Sequence, residues 1–241
     1  MAEIAQAVRS DLAPNGKLRV GINFGNALLT KRDPNPGGIA VDLARELASR
    51  LGVPLEIDTH ESAGSLADSA SKGRWEVGFL GAEPQRANEI DFTAAYVHIE
   101  STYVVPAGSP LKSIADVDRE GVRIAVNKAS AYDLFLSRSL KNATLVRGES
   151  GVDLFVKDKL EVAAGVKQPL VAYAKDHPEV RVMDSHFMEI QQAMGTPKGR
   201  LAGAAYLRDF VEDMKASGWL ERLSASATKP DVFISSTKIF R

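Results

Sequence analysis

The sequence predicts a two-lobed α/β protein, each lobe a mostly parallel sheet flanked by helices, with two extended segments joining the lobes. Three observations carry this. Residues 18–80 alternate strand, helix, strand, helix, strand, the βαβαβ order that makes a parallel sheet with helical crossovers. A second α/β run follows at 122–183, and longer extended stretches at 96–105 and 187–194 break the alternation between the blocks. Two covalent crossings between two α/β lobes make a hinge, and a hinge makes a cleft.

In chain order, Leu18-Arg19-Val20-Gly21-Ile22 reads as a strand, and Asp33-Pro34-Asn35-Pro36-Gly37-Gly38 is a dense turn signal. Ile39, Leu43, Leu47 and Leu51 recur every fourth residue and predict a helix stopped by Gly52 and Pro54. Residues 55–58 form a second strand, 65–72 a short helix ended by Gly73, and 75–80 a third strand. In the second block, strands are expected at 122–126, 143–146, 161–166 and 180–183, with helices at 131–139, 152–159 and 169–175. Pro169 sits at a tolerated first-turn position. After the turn Gly195-Thr196-Pro197-Lys198-Gly199, a long amphipathic helix is expected to bury Leu201, Ala204, Ala205, Val211 and Met214. Gly218 ends it, Trp219 and Leu220 pack behind, and the tail from Ser224 is polar and loose. The lobe boundaries are therefore 1–97 with 192–241 for lobe 1 and 101–188 for lobe 2, with hinge segments near 96–105 and 187–194.

Composition removes several function classes. The 241 residues, 44% hydrophobic and 25% charged, are ordinary for a globular chain able to bury its own core. Zero cysteines exclude thiol nucleophiles and thiolate metal sites. Thirty basic against thirty-one acidic residues leave a net charge of −1, without the basic excess of a nucleic-acid binder. No apolar run approaches the ~20 residues of a membrane helix. The N-terminus has no basic-then-apolar leader pattern, so the expectation is either a chain whose signal peptide was removed or, if Met1 is the native start, a cytoplasmic one.

Motifs of phosphate-binding, zinc-protease and serine-hydrolase chemistry are absent from the sequence, and the four histidines (His60, His98, His177, His186) lack ligand spacing and read as loop or surface residues. No catalytic residue, metal or cofactor is assigned. Polar residues instead collect after expected strands: Asn23 after the first, Gly81, Glu83 and Arg86 after the third, Lys128, Ser130, Ala131 and Tyr132 after the strand at 122–126, and Lys167 after 161–166. Ligands of open α/β sheets bind at such strand ends, beside helix N-termini whose free amides attract anions. Arg86 is the natural carboxylate ligand because its planar fork makes two parallel bonds. The plainer readings are a surface ion pair for Arg86 with Glu83 or Glu89, a helix cap for Ser130, core packing for Tyr132 and solvent for Lys128 and Lys167.

The order of segments resembles the family 3 extracellular solute-binding proteins, the ligand-binding components of ABC importers. The segments that carry it are Gly16-Lys17-Leu18-Arg19-Val20-Gly21, Gly38-Ile39-Ala40-Val41-Asp42-Leu43 and Arg86-Ala87-Asn88-Glu89-Ile90-Asp91-Phe92-Thr93-Ala94-Ala95-Tyr96. In lobe 2 they are Val122-Arg123-Ile124-Ala125-Val126, Ser130, and Gln168-Pro169-Leu170-Val171-Ala172-Tyr173. The resemblance implies a type II periplasmic-binding-protein fold closing on a small solute, a periplasmic setting, ABC importer membrane subunits as partners, and a monomer. It places Arg86 on the ligand carboxylate and Ser130 with Ala131 as hydroxyl and backbone donors to it. It also places Lys167 where amino-acid binders carry an aspartate for the ammonium group, and Gly81, Ala82 and Glu83 in a shortened loop lacking the usual Thr or Ser. With Lys167 as a second cation, the expected ligand is a small organic acid in preference to an amino acid, unless Glu83 takes the ammonium. The alternatives are an enzyme on the same fold, similar to cyclohexadienyl dehydratase, and a cytoplasmic ligand-sensing module.

Overall fold

The structure is a computed structural model and describes residues 4–26, 29–32, 36–226 and 233–234. Along the chain run α1 (Gln6–Leu12), β1 (Leu18–Asn23), α2 (Ile39–Leu51), β2 (Leu55–His60), α3 (Ala63–Ala67), β3 (Val77–Gly81) and β4 (Ile90–Pro106). Then come β5 (Arg123–Asn127), α4 (Ala131–Ser139), β6 (Thr144–Gly148), α5 (Gly151–Lys157), β7 (Val162–Val166), α6 (Lys167–Asp176) and β8 (Val180–Val182). The last are β9 (Met188–Pro197), α7 (Leu201–Ala216), α8 (Trp219–Ser226) and β10 (Phe233–Ile234). The chain divides into two compact units, Met1–His98 with Gln191–Arg241, and Ile99–Ile190. It passes from one to the other within β4 and again at the start of β9.

In the first unit β1 pairs in parallel with β2 (Leu18↔Leu55) and with β3 (Val20↔Val77), and β3 pairs antiparallel with β9 (Gly78↔Gly195). The strand order is β2-β1-β3-β9. The helix α2 forms where the leucine spacing places it because Ile39, Leu43, Leu47 and Leu51 all turn into the core. It starts at Gly38, whose φ of 99° and whose place 2.3 Å (as a built Cβ) from the Leu29 carbonyl oxygen admit only glycine. It stops at Gly52 in the left-handed region, where the Gly52 and Val53 amides donate to the Ser49 and Ala48 carbonyls. Trp75 is fully buried, donates its Nε1–H to Ser69 Oγ at 2.8 Å, and lies against Gly21 and Gly78 of β1 and β3.

The second unit repeats this layout without sequence repetition. Its β5 pairs in parallel with β6 (Arg123↔Thr144) and β7 (Ile124↔Val162), and β7 pairs antiparallel with β4 (Ser101↔Val166). Strand β8 extends the other side of β4 (Val104↔Val182). Val104, Ala125, Phe155, Leu160, Ala163, Leu170 and Val180 form its core.

Several local expectations change. The short helix expected over 65–72 splits into α3 and a 3₁₀ turn at Ala70–Lys72, since Ser69 Oγ donates back to the Leu66 carbonyl and receives Trp75. Leu201 is 78% exposed and Ala205 is exposed too. The buried face of α7 is Gly203, Ala204, Leu207, Phe210, Val211 and Met214, a stripe at helical spacing that leaves Leu201 outside it. The helix α1 has no strong pattern, only Val8 and Leu12 buried one turn apart. It is held by α7: Leu12 fills the space over Gly203, and the Asp11 carboxylate accepts the Gly203 amide at 2.9 Å. The N-terminus of α7, which Arg200 does not cap with its side chain, is thus capped by a residue from the far end of the chain. Residues 33–35 of the turn signal and most of the polar tail lie outside the described residues, while Phe233 and Ile234 pair with β4 (Phe233↔His98). His60, expected at the surface, is 3% exposed and is held by Asp58 at 2.9 Å and Ser65 at 3.1 Å.

The second unit carries an acid-sensitive joint. The Asp118 carboxylate accepts the backbone amides of Ala143 (2.9 Å), Asn142 (2.8 Å) and Lys141 (3.0 Å), which hold its carboxyl below the usual carboxylate range. A depressed carboxyl contributes stability that is complete above its unfolded pKa, about 3.9, and is lost as pH falls through the lower folded value. Asp118→Asn is therefore expected to lower the urea midpoint at pH 7, and the gap from the parent should narrow as pH falls below the ordinary carboxylate range. A gap that stays constant with pH would show that the carboxylate charge contributes nothing.

Candidate functional site

Within each unit the parallel strands present their C-terminal ends on one side, and the polar residues singled out in the sequence sit at those ends. In the first unit Asn23 closes β1. Its side-chain oxygen accepts the Gly25 amide at 2.8 Å and its carbonyl accepts the Thr30 hydroxyl at 3.1 Å, so Asn23 shapes the turn that follows. Gly81 closes β3, and its carbonyl accepts Arg86 Nη1 at 2.8 Å. That bond folds the 81–86 loop back on itself and fixes one edge of the guanidinium. Arg86 and Glu83 are each 5% exposed. Burial pulls the Arg86 pKa down to about 10, against the charges of Glu83 and Asp68, which push it up. At neutral pH the group remains a cation, and a buried one.

In the second unit β5 leads through Asn127 and Lys128 into Ala129, a non-glycine residue at φ 57°, and then into α4. Ser130 is the N-cap, its hydroxyl accepting the Asp133 amide at 3.1 Å, and the Asp133 carboxylate returns to the Ala129 amide at 2.8 Å. This reciprocal pair satisfies one donor that the helix start leaves open and the amide just before the cap, and holds the left-handed Ala129 in place. Arg147 Nε donates to the same carboxylate at 2.9 Å. Asp133 and Arg147 were not singled out from sequence, although Ser130-x-x-Asp133 is the spacing of a capping box. Ala131 is buried. Tyr132 is buried as well, and burial pushes its phenol up to about 12, so it packs as wall or core. Lys128 is exposed, its amide donating to the Gly148 carbonyl at 2.8 Å.

Lys167 is the first residue of α6, directly after β7. Its ammonium donates to Glu100 Oε2 at 2.7 Å and to the Asp184 carbonyl at 2.9 Å. The β4–β7 register explains the meeting: Ser101 lies opposite Val166, so Glu100 comes opposite Lys167. His186 Nδ1 is 3.3 Å from the other Glu100 oxygen. Lys167 is therefore a cation with a counter-ion inside its own unit. The expectation that it stands as a second uncompensated cation, on which the preference for an organic acid rested, loses its premise. Glu100 was not singled out from sequence, where it is one polar residue in an extended apolar run.

Among the described residues no group of three or more His, Asp or Glu side chains could hold a metal ion, and no helix is long and apolar enough to cross a membrane.

Residues 18–229 match the family of bacterial extracellular solute-binding proteins, family 3. No curated protein sequence matches the chain. Among solved structures, the solute receptor for L-cysteine of Neisseria gonorrhoeae superposes with a TM-score of 0.76 at 21% identity, covering 96% of this chain and 100% of that one. An amino acid ABC transporter substrate-binding protein from Streptococcus pneumoniae, bound to L-arginine, gives a TM-score of 0.72 at 19% identity, covering 90% and 96%. An ancestral amino-acid-binding protein, a precursor of cyclohexadienyl dehydratase, gives 0.73 at 21%, covering 91% and 99%. The fold is the α/β type II periplasmic-binding-protein fold.

Proposed function

The chain belongs to family 3 of the bacterial extracellular solute-binding proteins, and from that membership we propose that it binds a small carboxylate-bearing solute and delivers it to an ABC importer. The observation that supports this reading most is Arg86. A buried guanidinium at the end of β3, 5% exposed and bonded to the Gly81 carbonyl, is a cation of the kind that a carboxylate ligand pairs with. Within the second unit, Ser130 and the amides opening α4 offer a helix terminus of the kind that receives anions, since capping and ligand contact both use it. Gly81, Glu83, Ala131 and Tyr132 would line the site, and Asn23 would support it through its turn. Glu100 joins this set, and amino acids and organic acids both remain admissible solutes.

Mass spectrometry of solute retained through native purification, followed by thermal denaturation with that solute, tests the reading. A ligand at about 100 times its dissociation constant adds about 2.7 kcal/mol of stability. The solute should be recovered chemically unchanged. A retained carboxylate that leaves melting unaltered would refute solute binding, and its conversion to a product would favour the enzyme alternative.

A further inference from the structure

The geometry points to Ser65 as a nucleophile of the first unit, activated by His60 and Asp58 to take an acyl group from a small reactive ester. The inference stands on side chains of that unit alone and goes beyond solute binding. His60 closes β2 and is 3% exposed. Its Nε2 lies 2.9 Å from Asp58 Oδ2, and its Nδ1 lies 3.1 Å from Ser65 Oγ. A carboxylate can only accept, so the neutral ring carries its proton on Nε2 and leaves the Nδ1 lone pair to the Ser65 hydroxyl. Ser65 thus donates to a base that a third group orients, the relation that activates a serine. Such a site is defined by geometry and roles, not by order along the chain.

Each member of the trio is held in place. Asp58 and His60 are alternate residues of β2, so their side chains share one face of the strand. The second Asp58 oxygen, Oδ1, pairs with Arg74, which fixes the carboxylate from its other side. Ser65 lies in α3, its amide donating to Ser62 Oγ at 3.1 Å, while the next residue, Leu66, is fully buried. The Ser65 side is exposed and the base is shielded, so an electrophile meets the hydroxyl first. Ser69, in the same segment, is by contrast consumed: it donates to the Leu66 carbonyl and receives Trp75. In the reaction, Ser65 Oγ bonds to the ester carbonyl carbon and its proton passes to His60 Nδ1. The bond to the leaving oxygen breaks, and that oxygen takes the proton. Water then repeats the sequence, giving its proton to Nδ1, and the acyl–Oγ bond breaks as Oγ recovers a proton. Ester and water become acid and alcohol, with His60 and Ser65 restored.

The test treats the full chain with an alkyl fluorophosphonate, which forms an O–P bond as fluoride leaves and gives a lasting adduct that peptide mass spectrometry locates. Ser139, an exposed serine whose hydroxyl donates to the Phe135 carbonyl at 3.0 Å, is the reference within the same sample. Ser65 should react about a hundredfold or more faster than Ser139, the low end of what a placed general base supplies. His60→Gln and Asp58→Asn should each slow the Ser65 adduct about tenfold or more and leave Ser139 unchanged, with circular dichroism confirming the fold. Release of p-nitrophenolate from p-nitrophenyl acetate should fall by a similar factor in Ser65→Ala. Equal rates at Ser65 and Ser139 in the parent overturn the assignment, as do a Ser65 rate indifferent to His60 and Asp58 or unchanged ester cleavage in Ser65→Ala. Should His60→Gln fail to fold, the parent ratio and Asp58→Asn still decide. None of these outcomes bears on solute binding, which the retained solute tests separately.

Discussion

Arg86→Ala is expected to weaken solute binding by about 2–5 kcal/mol, the range for removing one member of a desolvated charge pair. That corresponds to about thirty- to several-thousand-fold in dissociation constant. The size follows from the surroundings. The guanidinium is buried and already tied to the Gly81 carbonyl at 2.8 Å, so it needs little further ordering to meet a carboxylate. Truncation also removes a cation on which the buried Glu83 charge acts. Arg86→Lys should recover part of the affinity, because it restores a point charge without the planar fork. Calorimetry reads the affinity, and far-UV circular dichroism checks that the fold persists. Undiminished affinity in a folded Arg86→Ala variant would remove Arg86 from the site and return it to pairing within its own loop.

Trp75→Ala should cost about 3–5 kcal/mol of stability, as large-to-small changes of buried aromatics do. The indole is fully buried, and Gly21 and Gly78 have no side chains with which to refill the space it leaves. Ser69 Oγ also loses the donor that reaches it at 2.8 Å. Trp75→Phe keeps most of the ring and loses the hydrogen bond, with an expected cost of about 1–2 kcal/mol from that bond. The chain has two tryptophans, so Trp219 remains as a fluorescence reporter in either variant. Equal urea midpoints for the parent and Trp75→Ala would contradict the account of this core.

Local signals made the alternation of elements legible. The bounds of α2 and α4 follow from features a few residues long: glycines at both ends of α2 with leucines between, and Ser130 before α4. The strand ends, and with them the candidate residues, were legible for the same reason. What could not be read depends on partners distant in sequence. The helix α1 has one buried apolar pair, and its hold on the fold is the contact with α7, almost two hundred residues away. Leu201 looked like core because it is apolar, but it lies outside the buried stripe of α7 and is exposed among the described residues. The misreading of Lys167 has the same origin. Its counter-ion lies 67 residues earlier on an antiparallel strand, and only the register of that pairing brings the two together.

The discontinuity of the first unit has a consequence for how the chain matures during synthesis. The second unit is one uninterrupted stretch, Ile99–Ile190, so every strand of its sheet has left the ribosome while the first unit still lacks β9 and α7. Until those C-terminal segments emerge, β3 has no antiparallel neighbour and the apolar face of α1 has no helix to cover it. The inserted unit can thus collapse early on contacts local to itself, whereas the unit that begins the chain completes last. An edge left open for that interval is a surface on which a chaperone could act, and it is the first unit, not the second, that presents it.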